Sequence, residues 1–262
     1  MELANDNIYV HFHPDEHRFV DQATEWIGRA EQHAVKLTDF LDPRQAFILN
    51  SLANAHPDVH VRFEGGHEGA ERRRAIVAPD YRVLEDEDAG IRVIAVSSPD
   101  DSLAELDHGD YMGAILGLGM KRDKIGDIYP RPDGCHIVVA AESADYLSLQ
   151  LSQVHRVHVR TEILTAERLQ PTETRLEEQQ LSVASLRLDG IASDVYRLSR
   201  AKVLVPIKAG RCKVNWKQEE DPSKPLKEGD VVSMKGFGRF TLLEVEGLSK
   251  KGRHRIRIGK YV

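Results

Sequence analysis

The C-terminal third of the sequence carries basic side chains at spacings suited to phosphate binding. Guanidinium and ammonium groups hold phosphate oxygens through charge-assisted hydrogen bonds, and arginine can do so with two parallel bonds. From residue 182 onwards there are 18 Lys+Arg and 9 Asp+Glu, whereas the first 181 residues hold 18 basic and 33 acidic side chains. This asymmetry indicates a polyanion-binding module joined to acidic domains. The candidate contacts are Arg187, Ser199, Arg200, Lys202, Lys208, Arg211, Lys213, Arg253, Arg255 and Arg257.

Two short helices and the strands after them are predicted to position the first of these groups. Ser199 is a good N-cap, and Gly210 is a good stop for the helix between them. First-turn N–H groups at such a helix start can also bind phosphate, so Ser199 is expected to add a hydrogen bond. Asp189 is expected to orient Arg187 and not to touch RNA. The alternative is a solvated basic surface without a partner.

The last strand presents a second row of arginines. Across residues 250–258 the side chains alternate, so Arg253, Arg255 and Arg257 are predicted to share one face while Ile256 and Ile258 pack on the other. Such a face favours RNA contact within a basic module. A charged strand that only resists aggregation is the alternative.

The upstream sequence predicts an α+β protein with three domains. Residues 1–75 are assigned to a small N-terminal α/β domain and residues 76–165 to a central domain. The central segment has the order βαββαβ, which is typical of ferredoxin-like (RRM-like) folds and identifies no single function. Residues 166–181 are polar with little periodicity and are predicted to be a linker. Residues 182–262 form the basic C-terminal module.

Two runs of cations in the acidic part of the chain are candidates for a second phosphate contact, which the family resemblance described below implies to be with RNA. One run, at residues 121–124, follows the helix predicted near residues 107–118. Its cations have two interpretations, which are neutralisation of the negative helix end and binding of phosphate. The residues concerned are Arg72, Arg73, Arg74, Lys121, Arg122 and Lys124.

Several site classes find no support in the sequence. The only cysteines, Cys135 and Cys212, are far apart, and no matching motif accompanies the histidines near the start of the chain. There is no GxSxG elbow and no Rossmann fingerprint. No apolar run approaches the roughly 18 residues that a membrane span needs. We therefore expect a cytoplasmic protein with no catalytic residue, no metal, no cofactor and no small-molecule substrate.

Blocks of residues in the last third resemble the RNA-binding domain of ribosomal protein S-four, the alpha-L motif. In order they are Leu186-Arg187-Leu188-Asp189, Leu198-Ser199-Arg200-Ala201-Lys202, Ile207-Lys208-Ala209-Gly210, Val214-Asn215 and Gly229-Asp230-Val231-Val232. The sequence departs from that pattern at Trp216, where a glycine usually follows the asparagine, and at Pro206, which falls inside the second helix.

Further blocks extend the resemblance to nearly the whole chain and are similar to YlmH-type bacterial proteins. They are Leu37-Thr38-Asp39-Phe40-Leu41-Asp42-Pro43-Arg44, Gly69-Ala70-Glu71-Arg72-Arg73-Arg74 and residues 113–128. The resemblance implies a non-catalytic RNA-binding protein, associated with the large ribosomal subunit in quality control of subunits obstructed by peptidyl-tRNA. Large-subunit rRNA and tRNA or peptidyl-tRNA are thus the expected partners. The alternatives are an rRNA- or tRNA-modifying enzyme, such as a pseudouridine synthase, and a protein-interaction adaptor linked to cell division.

Overall fold

The computed structural model describes residues 8–98, 106–173 and 175–261. The chain divides after residue 172 into two compact units. Both mix helices with antiparallel sheets, as the α+β prediction requires. None of the helices in these described ranges is long and apolar enough to cross a membrane.

The first unit begins with two helices packed on a three-stranded antiparallel sheet of order β1-β3-β2. Asp42 starts α2 with a capping box, in which its carboxylate accepts from the backbone N–H of Gln45. The apolar faces of both helices cover the sheet through residues such as Ile27, Leu49 and Val77. The elements are α1 (His17–Glu31), β1 (Lys36–Leu41), α2 (Pro43–Ala53), β2 (Val59–Glu64) and β3 (Arg73–Pro79).

A four-stranded antiparallel sheet of order β5-β6-β4-β9 follows, which is the predicted ferredoxin-like arrangement. The last strand of this βαββαβ unit, β9, is preceded by a short hairpin that the sequence did not predict. Val157 and His158 close this hairpin with β7, and β9 starts at Arg160. The elements are β4 (Ile91–Ser97), α3 (His108–Gly117), β5 (Ile125–Arg131), β6 (Gly134–Ala140), α4 (Ala141–Gln150), β7 (Gln153–Val154), β8 (Val157–His158) and β9 (Arg160–Thr165).

The two sheets of the first unit share a buried core. Phe40 and Ile76 of the first sheet belong to one apolar cluster with Tyr129 and Val138 of the second. The domain boundary predicted after residue 75 therefore falls inside β3, whose seven residues all belong to the first sheet. A sequence boundary is hard to place here because β3 is apolar on both faces.

The second unit is a six-stranded sheet of order β10-β15-β14-β13-β11-β12, with two helices packed on one face. Residues 176–181, predicted to be linker, belong to β10, an edge strand paired with β15 along its whole length. The elements are β10 (Leu176–Val183), α5 (Leu188–Val195), α6 (Arg200–Lys208), β11 (Cys212–Val214), β12 (Lys217–Gln218), β13 (Val231–Met234), β14 (Gly238–Leu248) and β15 (His254–Tyr261).

Gly126 allows the two sheets of the first unit to approach. A Cβ at this position would lie 2.8 Å from a ring carbon of Phe40 and 2.9 Å from a methyl of Val138. Gly126→Ala is therefore expected to lower the free energy of unfolding by about 1–3 kcal/mol through overpacking. Gly113→Ala is the control: it lies on α3 with nothing within 4 Å, and should stabilise by about 0.5–1 kcal/mol. If urea unfolding showed the same change in the free energy of unfolding for Gly126→Ala and Gly113→Ala, this account would be contradicted.

Candidate nucleic-acid interface

Two arginines meet on one buried carboxylate at the start of the helices of the second unit. Arg187, the N-cap of α5, donates to Asp189 from Nε over 3.2 Å and from Nη2 over 3.4 Å. Arg200, the first residue of α6, donates to the same carboxylate over 3.2 Å. The Asp189 side chain is 7% exposed, whereas those of Arg187 and Arg200 are 43% and 57% exposed. The carboxylate thus fixes two guanidiniums that still face solvent.

Backbone contacts hold this cluster in place. The N–H of Leu188 donates to the carbonyl of Lys224, and the N–H of Asp189 donates to that of Pro222. Ser199 caps α6 as predicted, its hydroxyl accepting from the N–H of Lys202 over 3.4 Å. The positive end of the α6 dipole therefore lies beside Arg200 and the exposed Lys202. We name Arg187, Asp189, Ser199, Arg200 and Lys202 the helix-start cluster.

The remaining cations predicted around α6 do not join this cluster. Lys208 is exposed in the last turn of α6, about 13.5 Å along the helix from its N-cap. Arg211 is exposed in the segment that follows. Lys213 lies on β11 opposite Ser233, whereas its neighbours Cys212 and Val214 point into the core. Lys213 therefore lies on the outer face of the sheet, away from α5 and α6.

The arginine row predicted near the C-terminus also lies on this outer face, but only in part as expected. Ile256 and Ile258 are fully buried, which confirms the alternation. Arg253 precedes β15 and donates to the hydroxyl and the carbonyl of Ser182, and both Arg253 and Arg255 are exposed. Arg257 donates to two carboxylates, Glu178 over 3.0 Å and Glu244 over 2.6 Å. These hydrogen bonds raise the pKa of Arg257.

The two carboxylates pair with Arg257, so its guanidinium is less open to phosphate than the alternation alone predicts, and its RNA contact stays a prediction. Register explains the pairing. Shifts in the pairing of β14 place Glu244 opposite Arg257, and β10 supplies Glu178 from the other side. Neither neighbour could be read from the local sequence.

In the first unit, Arg72 and Arg74 are internal cross-links between its two sheets. Arg72 donates to the carbonyls of Ile125 and Phe40 over 3.2 and 2.9 Å, and burial lowers its pKa. Arg74 is 3% exposed and donates to the carbonyl of Thr38 over 2.7 Å. Neither can meet a phosphate without losing these bonds, so their prediction as RNA contacts is wrong. Arg73 packs on the ring of Phe63, 5.2 Å from its centroid.

The second cationic run behaves in the same way. Arg122 donates to the carbonyls of Ile125 and Gly126, and burial, followed by the charge of Arg72, lowers its pKa to about 10. Lys124 is paired with Asp39 over 2.5 Å and with Glu142 over 3.0 Å. The predicted contacts at Arg122 and Lys124 are therefore structural groups. Lys121 is exposed and keeps its place as a candidate contact.

Two features of the second unit were missed from the sequence. One is the bond from Arg200 to Asp189, which joins residues eleven positions apart. The other is a stack in which the Arg239 guanidinium lies over the rings of Trp216 and Tyr261, 5.5 and 5.2 Å from their centroids. The signal for the stack was a tryptophan directly after an asparagine, at a position that suits glycine.

Two family models match the first unit. Residues 15–82 match the model described as "YlmH, N-terminal", and residues 85–168 match "Putative RNA-binding domain in YlmH". The boundary between these matches lies just beyond β3, so each match contains one of the two sheets of the first unit.

Two known proteins are similar over much of the chain. "Ribosome-associated protein quality control protein P2" of Bacillus subtilis is 40% identical over 251 residues, which is 95% of this chain and 97% of that protein. A solved structure, "Cell division protein ylmH from Streptococcus pneumoniae", is 24% identical with a TM-score of 0.54. The match covers 61% of this chain and 98% of that one, and at this identity it supports the fold alone.

Proposed function

The chain belongs to the YlmH family, and from that premise we propose that it is a non-catalytic RNA-binding protein of ribosome-associated quality control. The name of the Bacillus subtilis relative and the description of the central family model support this assignment. We place its action in the cytoplasm, on the ribosome. The second unit acts as an S-four-type module, whose two helices followed by a sheet agree with the resemblance in residues 182–240.

The helix-start cluster is the observation that carries the proposal. An arginine held by a carboxylate loses less side-chain freedom when it binds, so a pair held by Asp189 is pre-organised for two phosphate groups. Lys202 and the N-terminus of α6 add positive potential at the same place. A phosphate backbone with its regular charge spacing is the natural ligand of such a surface.

The finer form of the proposal is docking on the large subunit through rRNA, with contact to peptidyl-tRNA. The second unit supplies the phosphate contacts, because its net charge is positive while the rest of the chain is acidic. Arg72, Arg74, Arg122 and Lys124 are engaged in bonds inside the first unit, so we do not count these four cations as docking contacts. We assign the first unit the task of distinguishing obstructed subunits from empty ones.

The experiment that tests this function measures affinity for purified large subunits, with and without peptidyl-tRNA, across a salt series. If five cations of the second unit contact phosphates, the log–log slope should be about −4, since each contact contributes about 0.7–0.9. Binding should be tighter to obstructed subunits. The contacts counted are Arg187, Arg200, Lys202, Lys208 and Arg211.

Weak binding to both kinds of subunit, with little dependence on salt, would refute ribosome docking. Steep salt dependence with equal affinity for obstructed and empty subunits would retain RNA binding and refute the recognition of peptidyl-tRNA.

A further inference from the structure

A strained two-residue turn joins β11 and β12. Val214 pairs with Lys217, and the residues between them, Asn215 and Trp216, have φ values of 50° and 63°. Hairpins of this kind prefer Asn-Gly, because both central residues must adopt positive φ. A tryptophan in this conformation is unfavourable, so the turn geometry alone does not explain its presence.

The turn is tied firmly to the neighbouring strand. The side chain of Asn215 donates to Asp230 over 2.8 Å and accepts from the N–H of Val231 over 2.9 Å. The backbone N–H of Asn215 donates to the carbonyl of Val231 over 2.8 Å. The ring of Trp216 is therefore carried at a defined place at the rim of the sheet.

This ring belongs to a cluster of side chains on the outer face of the sheet. Arg239 contacts both Trp216 and Tyr261, with its guanidinium carbon within 5.5 Å of each ring centroid. Arg239 pairs across the strands with Ser233, and Ser233 pairs with Lys213, so these side chains share the outer face. Phe240 and Val232, the next residues along, are buried on the other face.

We propose that Trp216, Arg239 and Tyr261 form a platform on which an unpaired RNA base stacks, with Lys213 binding an adjoining phosphate. The proposal rests on the RNA-binding function proposed above and adds a class of ligand to it, single-stranded RNA. Aromatic rings and guanidinium planes stack on any base, and a nearby cation holds the backbone. The platform is separate from the helix-start cluster, which lies on α5 and α6.

A purely structural role is the competing explanation, in which the ring of Trp216 covers Arg239 and stabilises the sheet. The two explanations predict different results for the variant Trp216→Gly. Glycine satisfies the turn without strain and removes the ring. If the ring stacks on RNA, Trp216→Gly should bind RNA more weakly while its thermal stability stays the same or rises. If the ring is structural, Trp216→Gly should be less thermally stable.

The experiment uses the full chain and two probes, an unpaired 12-nucleotide oligoadenylate and a perfectly paired RNA hairpin. Trp216→Gly should weaken binding of the oligoadenylate about tenfold, within the range known for one stacked base. Its affinity for the hairpin should stay within twofold, and its Tm should not fall. Trp216→Phe, which keeps a ring, should restore most of the affinity. Wild-type tryptophan fluorescence should be quenched by the oligoadenylate, and far less in Trp216→Gly.

Failure of the platform and failure of the RNA-binding function give different results. Unchanged oligoadenylate affinity in Trp216→Gly, with both probes weakened by loss of Arg200 and Lys202, would overturn the platform alone. A fall in Tm with no change in RNA affinity would identify the ring as structural. Absence of binding to either probe and to large subunits would overturn the function and the platform together.

Discussion

Replacing Arg200 and Lys202 together by alanine is expected to weaken binding to large ribosomal subunits by about 2–3 kcal/mol, or roughly 30- to 150-fold. Arg200 is held by Asp189 at 3.2 Å with its side chain more than half exposed, and Lys202 is exposed in the first turn of α6. Two phosphate contacts are lost, so the log–log salt slope should also become shallower by about 1.4–1.8. Sedimentation with purified subunits across a salt series measures both quantities.

The matched control is Lys250→Ala with Lys251→Ala. These lysines are also exposed, belong to the same unit and remove the same charge, but they lie in the turn between β14 and β15. They should change affinity by less than about threefold, since only the general electrostatic attraction is reduced. Equal losses in the two double variants would mean that net charge alone drives binding, and the helix-start cluster would no longer be the interface.

The features of this interface that are local in sequence were predictable. Ser199 caps α6, Gly210 has the positive φ of a helix stop, and the buried pair Ile256 and Ile258 alternates with arginines. Each follows from a backbone rule that acts over one to four residues. The pairing of Arg187 with Asp189 also spans only two residues, and it was anticipated.

The errors concern contacts between distant segments. Arg72 and Arg74 look like a solvated basic run, yet sheet packing encloses both, and backbone carbonyls from other strands accept their bonds. Arg257 faces outward as alternation requires, but strand register brings Glu178 and Glu244 beside it. Residues 176–181 are polar because β10 is an edge strand, and polarity alone does not separate an edge strand from a linker.

The second large effect is expected at Arg74, whose charge is buried between the two sheets of the first unit. Its guanidinium donates to the carbonyls of Thr38 and Gly90, each over 2.7 Å, and to Glu142 over 3.1 and 3.2 Å. Arg74→Ala leaves the carbonyls of Thr38 and Gly90 without this donor and opens a cavity, whereas Glu142 is about half exposed and keeps its bond to Lys124. Leaving a buried acceptor unpaired costs about 1–3 kcal/mol, so the two carbonyls and the cavity together should lower the free energy of unfolding of the first unit by about 3–5 kcal/mol.

Unfolding of the first unit can be followed alone, because the chain has two tryptophans and Trp26 is buried in that unit. In a Trp216→Phe background, fluorescence-detected melting should show the Tm of Arg74→Ala lowered by about 10 °C. Arg73→Ala is the control, since it removes the same charge one residue away, where the side chain packs on Phe63. Arg73→Ala should lower the free energy of unfolding of the first unit by about 1 kcal/mol or less.

The same pair of variants decides whether Arg74 serves RNA or the fold. A buried cross-link contacts no phosphate. Below the melting temperature, Arg74→Ala should therefore bind large subunits with wild-type affinity and an unchanged log–log salt slope. If Arg74→Ala melted like the parent while its affinity fell and its slope became shallower, the residue would be an RNA contact. Its bonds to Thr38 and Gly90 would then be dispensable to the fold, contrary to the burial of the side chain.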